Sequence, residues 1–190
     1  MASLKRPEPN GQDICLACGM CCNGVIFADV KLQPDEDATA LLSAGVPLLM
    51  GPAKRGQPAS GSTGLQRFLQ PCAALDGCRC RIYALRPQSC RKFECLLLKK
   101  VQQGSATPAQ ALRLIGRARK LAGLVERLLD ALGDGDQGRA LASRYRRTAQ
   151  RLRQDELDAH TASLYSQLTV AFHKLNLLLG QSFYPAPRQE

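Results

Sequence analysis

The chain has 190 residues, a formal net charge of +10, 45% apolar residues, 5% aromatics and no tryptophan. That length sets one compact domain or a small domain with a helical appendage, and the balance of apolar and charged residues excludes wholesale disorder. No stretch reaches the roughly 18 unbroken apolar residues of a membrane helix, and the first twenty residues lack the apolar core of a secretory signal, so a cytoplasmic protein away from membranes is expected.

Residues 1–13 carry two prolines, a glycine and no apolar rhythm, which reads as a flexible lead-in to the cysteine-rich stretch 15–22. A short helix is expected from Pro34, a favourable first-turn residue, with Asp35, Glu36 and Asp37 at the positive end of its dipole and Leu41 and Leu42 closing it before Gly45. Residues 51–64, with four glycines and two prolines, read as a loop. Short extended pieces are expected near 65–69 and 79–83. From Thr107 the pattern changes. Thr107, Pro108 and Gln110 form a capping-box start, and Leu114, Ala118, Leu121, Val125, Leu128 and Leu132 recur at helical spacing up to Gly133. After a turn at 133–136, a proline-free helical stretch runs to about Leu179. Its stripe includes Leu141, Tyr145, Ala149, Leu152, Leu164, Leu168, Phe172 and Leu175, and the polar run Gln154–Asp158 is a place to kink or divide it.

Cysteine usage is the outlier. All nine cysteines lie between Cys15 and Cys95, and the remaining 95 residues have none. An odd number of clustered thiols without an export signal points to metal rather than to a disulfide framework. The first cluster is Cys15-x2-Cys18-x2-Cys21-Cys22; the second holds Cys72, Cys78, Cys80, Cys90 and Cys95. A C-x2-C pair can place two sulfurs about 2.3 Å from one tetrahedral ion. Neighbouring side chains diverge, so Cys21 and Cys22 either serve two sites or bridge two metals. Eight thiols suffice for two four-thiolate sites with one left over; alternatively, four hold one iron–sulfur cluster and the others remain redox-active. All-sulfur coordination excludes magnesium and calcium and leaves zinc or iron. Two four-thiolate divalent sites would lower the net charge from +10 to about +6. Arg79, Arg81, Arg86, Arg91 and Lys92 lie among these thiols, either favouring their ionisation or simply facing solvent.

The first cluster, with Pro71–Cys72, Cys80–Arg81–Ile82–Tyr83, Arg86–Pro87 and Cys90–Arg91, resembles the YkgJ-type (CxxCxxCC) cysteine-cluster family, over roughly residues 13–100. That family is described as zinc- or iron-chelating, and similar cysteine patterns occur in flagellin lysine methylases. The resemblance implies metal ligation by Cys15, Cys18, Cys21, Cys22, Cys72, Cys80, Cys90 and Cys95. Cys78 has no counterpart in the pattern and is the candidate spare thiol.

Other signals carry less. Gly133, Gly135 and Gly138 spell a dinucleotide fingerprint without the strand it needs, and a calcium loop begun by Asp134 and Asp136 would end on Tyr145 rather than Glu. A helix-connecting turn explains both. Residues 113–153 hold 11 Lys and Arg against 4 acidic residues, with Arg144, Arg146, Arg147, Arg151 and Arg153 crowded together. This reads as a solvated face or a protein-partner surface in preference to a nucleic-acid site, because only Tyr145 is interleaved for stacking. His160 and His173 read as ordinary helical histidines, His160 facing inward or pairing with Glu156. No catalytic residue stands out.

The expected protein is mainly α: an irregular metal-organised cysteine module with minor β over 13–100, then an antiparallel helical hairpin over 105–180 packed on it. Its expected function is metal binding in a structural, chelating or redox role. The alternatives are an iron–sulfur-dependent enzyme, such as a methylase or oxidoreductase, and an adaptor docking through the basic hairpin.

Overall fold

The computed structural model of the chain describes residues 11–50 and 66–184. The expected loop at 51–64 and most of the N-terminal lead-in lie outside them. The fold is mainly α with minor β, as expected, and its regular elements change sharply in length at about residue 105.

Before that point the elements are short. Helix α1 (Gly11–Cys18) leads into a turn at Gly19, whose φ of +67° lies in the left-handed region that glycine enters without steric cost. The end of the lead-in is therefore already helical, contrary to the expected flexible approach up to residue 13. Strand β1 (Asp29–Lys31), helix α2 (Ala38–Ser43), strand β2 (Leu49–Met50) and strand β3 (Gln66–Leu69) follow. They form a three-stranded antiparallel sheet ordered β1-β3-β2, with Val30 opposite Phe68 and Leu49 opposite Arg67. Strands β4 (Leu75–Asp76) and β5 (Arg79–Cys80) make a two-stranded ribbon. A single 3-10 turn (Tyr83–Leu85), helix α3 (Gln88–Lys92) and helix α4 (Leu96–Gln102) complete this half. The expected extended piece near 79–83 thus stops at Cys80 and tightens into the 3-10 turn.

Helix α2 begins four residues later than expected. Asp37 is its N-cap, accepting from Thr39 N at 2.8 Å and Ala40 N at 3.2 Å. Glu36 is committed elsewhere: its carboxylate accepts from Gln33 N at 2.6 Å and from Gln88 N at the start of α3.

The second half is built from long helices: α5 (Pro108–Ala131), α6 (Leu141–Leu152) and α7 (Ala159–Ser182). Thr107 and Gln110 close a reciprocal capping box on α5, and Gly133, at φ +82°, follows its C-terminus. Between α6 and α7 the polar run divides the expected single helix, and Asp158 caps the new start through Thr161 N at 2.9 Å. Helices α5 and α7 form the long hairpin, with α6 lying on α5. Small buried residues on α5 (Ala111, Ala118, Ala122) let α7 approach, and Ile115, Val125 and Leu129 interlock with Leu168, Leu175 and Leu179. The buried stripe on α5 is rotated from the expected one, since Leu114 and Leu121 are only half-buried at its edge. Tyr145 of α6 stacks on Phe172 of α7, with ring centroids 3.9 Å apart.

Among the described residues there are two apolar cores. The larger is the hairpin core, which also takes in Ile14, Met20, Val25, Ile26 and Leu97 from the first half. The smaller gathers Val30, Leu32, Leu41, Val46, Phe68, Ala74 and Ile82 around the sheet. Backbone hydrogen bonds join the halves, Leu141 N to Gly24 O at 2.9 Å and Leu96 N to Phe183 O at 3.1 Å. At Gly24 (φ +81°) an added Cβ would come within 3.0 Å of Ala140 Cα and 3.3 Å of Pro71.

Of the crowded arginines of α6, Arg146, Arg151 and Arg153 are exposed as a solvated face, whereas Arg144 and Arg147 are engaged by the preceding turn. Arg144 is buried, with its guanidinium on Asp134 Oδ1 (3.2 Å), on Asp130 Oδ1 (2.6 Å) and on the Asp134 carbonyl. Arg147 holds both Asp134 carboxylate oxygens at 2.8 Å and Asp136 at 3.0 Å, and Arg151 donates to the Leu132 carbonyl. Burial alone would raise Asp134, but hydrogen bonds from Arg147 and Arg144 outweigh it and hold the carboxyl below its usual range. The Gly-Asp-Gly-Asp turn is therefore a helix connection fastened by an internal ion network. No helix of the described residues is long and apolar enough to cross a membrane.

A thiol-lined cavity as the candidate metal centre

All nine cysteines line one cavity of about 460 Å³ between the two cores. None is in a disulfide, and all but the exposed Cys15 are half-buried.

One set of sulfurs gathers against the hairpin core. Cys15 and Cys18 lie three residues apart at the end of α1, on one side of the helix. The Gly19 turn, with Cys22 N and Asn23 N both donating to Gly19 O at 2.9 and 3.1 Å, then brings Cys21 back beside them. Cys95 approaches from the other direction as the N-cap of α4, its Sγ accepting Leu98 N at 3.3 Å. Cys18, Cys21 and Cys95 all pack on the hairpin core.

The second set gathers against the sheet core, where Cys72, Cys80 and Cys90 pack. Cys72 is tied to the first cluster by its N–H donating to Cys22 O at 2.7 Å. Cys80 sits on β5 opposite Leu75, and Cys90 rides on α3, which Ser89 fixes by donating to Lys31 O at 3.0 Å. Cys22 lies between the sets: besides burial, Cys72, Cys80 and Cys15 act on its thiol, and Cys22 in turn acts on both Cys90 and Cys21.

Burial dominates the electrostatics. It pushes the Cys22 thiol up to about 11 and those of Cys18 and Cys90 up to about 12, and it raises Cys15, Cys21 and Cys72 as well. Neighbouring sulfurs add to the rise. Arg86 opposes it at Cys15, Cys22 and Cys90, so one guanidinium serves both sets. Arg86 is itself placed by donating to Tyr83 O at 3.1 Å and by stacking 3.5 Å over the Tyr83 ring. Arg81, fixed on Ala73 O at 2.6 Å, opposes the rise at Cys72.

The donor set suits a soft or borderline ion. Sulfur dominates the cavity's ligating groups, accompanied by a single carboxylate, Asp29, already paired with Arg67 at 2.8 Å. Gln70, buried on the same wall, leaves its side-chain oxygen without a partner, a debt that an occupant or its water could settle. Among the described residues no three His, Cys, Asp or Glu side chains already stand around one ion position, so the sulfurs must draw inward to grip one. His160 and His173 are exposed on α7 and do not line the cavity; His160 faces outward rather than inward.

Sequence reasoning missed two neighbours. Gln70 gave no signal because its burial depends on the β1–β3 register. Arg119 of α5 reaches across the halves, its Nη1 donating to Ala17 O at 3.1 Å and to Cys78 Sγ at 3.3 Å, a contact spanning 41 residues.

Clustered, undisulfided thiols around one cavity define a chelating module. The CxxCxxCC family, whose description reads "putative zinc- or iron-chelating domain", matches residues 14–109, and the chain belongs to that family. Neither the curated proteins nor the solved structures hold a match to it.

Proposed function

We propose that this protein binds two metal ions or small metal centres, zinc or iron, in two four-thiolate sites. The first is Cys15, Cys18, Cys21 and Cys95, and the second is Cys22, Cys72, Cys80 and Cys90. The observation that carries this reading is the partition of the sulfurs: Cys18, Cys21 and Cys95 rest on one core and Cys72, Cys80 and Cys90 on the other. Four thiolates satisfy a tetrahedral ion completely, which favours a structural or storage role over an open catalytic one. Because the buried thiols hold their protons tightly, loading must release protons, and retention of metal weakens as the medium is acidified. Arg86 and Lys31 on the cavity wall offset the negative charge that the two sites would carry. Such ligands stay free in a reducing compartment, and we assign the protein to the cytoplasm.

The test is anaerobic purification followed by elemental analysis and a visible spectrum. Two zinc per chain in colourless protein, or iron with a thiolate-to-iron absorption, is the expected result. Folded protein free of both metals overturns the reading.

A further inference from the structure

Helix α5 buries one side against α7, and its opposite side presents three rows of residues at seven-residue spacing. These are Arg113, Lys120 and Arg127, then Gly116 and Gly123, then Arg117 and Leu124. At the rise of an α-helix the cations span about 21 Å. Among the described residues none of the four forms an ion pair, in contrast to Arg144 and Arg147. Glycine inside a helix is less favourable than alanine unless close packing calls for it. Here an added Cβ at Gly116 meets nothing within 4 Å, and at Gly123 it meets only the flexible end of Arg127 at 3.5 Å. Nothing described inside the chain needs that space. A trough without side chains, bordered by a row of cations, admits another helix lengthwise, because a seven-residue repeat is the seam along which helices pair.

The chain's own helices carry no matching charge. Helices α6 and α7 have no acidic residue, and α5 has only Glu126 and Asp130, the latter held by Arg144. Residues 1–10, 51–65 and 185–190 together hold two acids, Glu8 and Glu190, against five cations. A second copy docked through this face would set cation against cation. Phosphates of a nucleic acid would be met by the long cations alone and would give the glycines no role, which favours a helix as the occupant.

We propose that this face of α5 docks an acidic helix of another protein. Carboxylates of that helix pair with Arg113, Arg117, Lys120 and Arg127, its backbone closes on Gly116 and Gly123, and an apolar side chain covers Leu124, which is 37% exposed. Ile115 is the one residue of α5 that lines the thiol cavity, so the inference is independent of the metal reading.

The test titrates the full chain into a fluorescein-labelled helical peptide of alanine and leucine with glutamates along one face, read by anisotropy. Wild type should bind, with affinity falling as salt is raised. Lys120→Glu should weaken binding about tenfold, while Arg153→Glu, the same charge change on the exposed side of α6, leaves it within about twofold. Gly116→Leu together with Gly123→Leu should abolish binding without lowering the thermal midpoint, because the new side chains enter open space. No binding by wild type, equal weakening by Lys120→Glu and Arg153→Glu, or full binding by the folded glycine variant overturns the proposal. Tighter, Lys120-dependent binding of duplex DNA or of phosphatidylserine vesicles overturns it in favour of that polyanion.

Discussion

The two halves of the chain solve the same folding problem with different means. Helices α5 and α7 each run 24 residues, carry their own caps and bury leucine, valine and alanine against each other. Among the described residues before 105 no element exceeds eight residues, and the core around the small sheet comprises seven buried residues. A half whose own core is this small, and whose other buried residues lean on the hairpin core, gains from another source of cohesion, which the sulfurs lining its centre can supply through metal. The comparison teaches that thiol density and core size trade against each other within one chain.

The largest test of that contrast is metal removal. Structural zinc contributes about 10–16 kcal/mol in small finger peptides. A chelator, or the pair Cys21→Ser and Cys22→Ser together, should therefore strip amide-exchange protection from residues 14–50 and 66–95 while α5 and α7 stay protected. Simultaneous loss over both halves would show instead that they unfold as one unit.

Next comes the ion network of the helical half. Arg144→Met leaves Asp134 buried with one partner fewer and should cost about 3–5 kcal/mol in denaturant unfolding, with metal content per folded chain unchanged. Its acid response has a definite sign. The Asp134 carboxyl is held below its ordinary value of 3.8, so its contribution is complete above that pH and is lost as pH falls through the folded value. In the Asp134→Asn variant, the acid-unfolding profile of α5 and α6 by circular dichroism should become flatter in that window.

Leu168→Ala, at a fully buried position between α5 and α7, should cost about 2–5 kcal/mol, again without changing metal stoichiometry. The smallest expected effect is Thr107→Ala, which removes half of the α5 capping box and should cost about 1 kcal/mol in thermal unfolding. If either helical variant lowers zinc or iron content as strongly as a cysteine change does, the halves are not separable in the way proposed.

What could be read from the sequence was local. The start of α5 followed from Thr107, Pro108 and Gln110 because a capping box closes within four residues, and its end followed from Gly133. What escaped depended on distant partners. Glu36 looked like a first-turn acid for α2 but bonds the start of α3, 52 residues away. Arg144 looked like part of a basic face until the turn at 134 folded onto it. His160 was expected to face inward or to pair with Glu156 from its spacing to Leu152 and Leu164, but the break between α6 and α7 resets the helical phase, leaving it in solvent. The two- and three-residue strands carry too few positions for any alternation to register.

Gly24 shows how little tolerance the sulfur-bearing loop has. It sits two positions beyond Cys22, wedged between the proline that precedes Cys72 and the residue that precedes α6, where even a methyl group collides with main chain. A mutation there would touch no sulfur, yet it would wedge the two cysteine-bearing segments apart. Damage to chelation can thus originate at a site with no chemistry of its own.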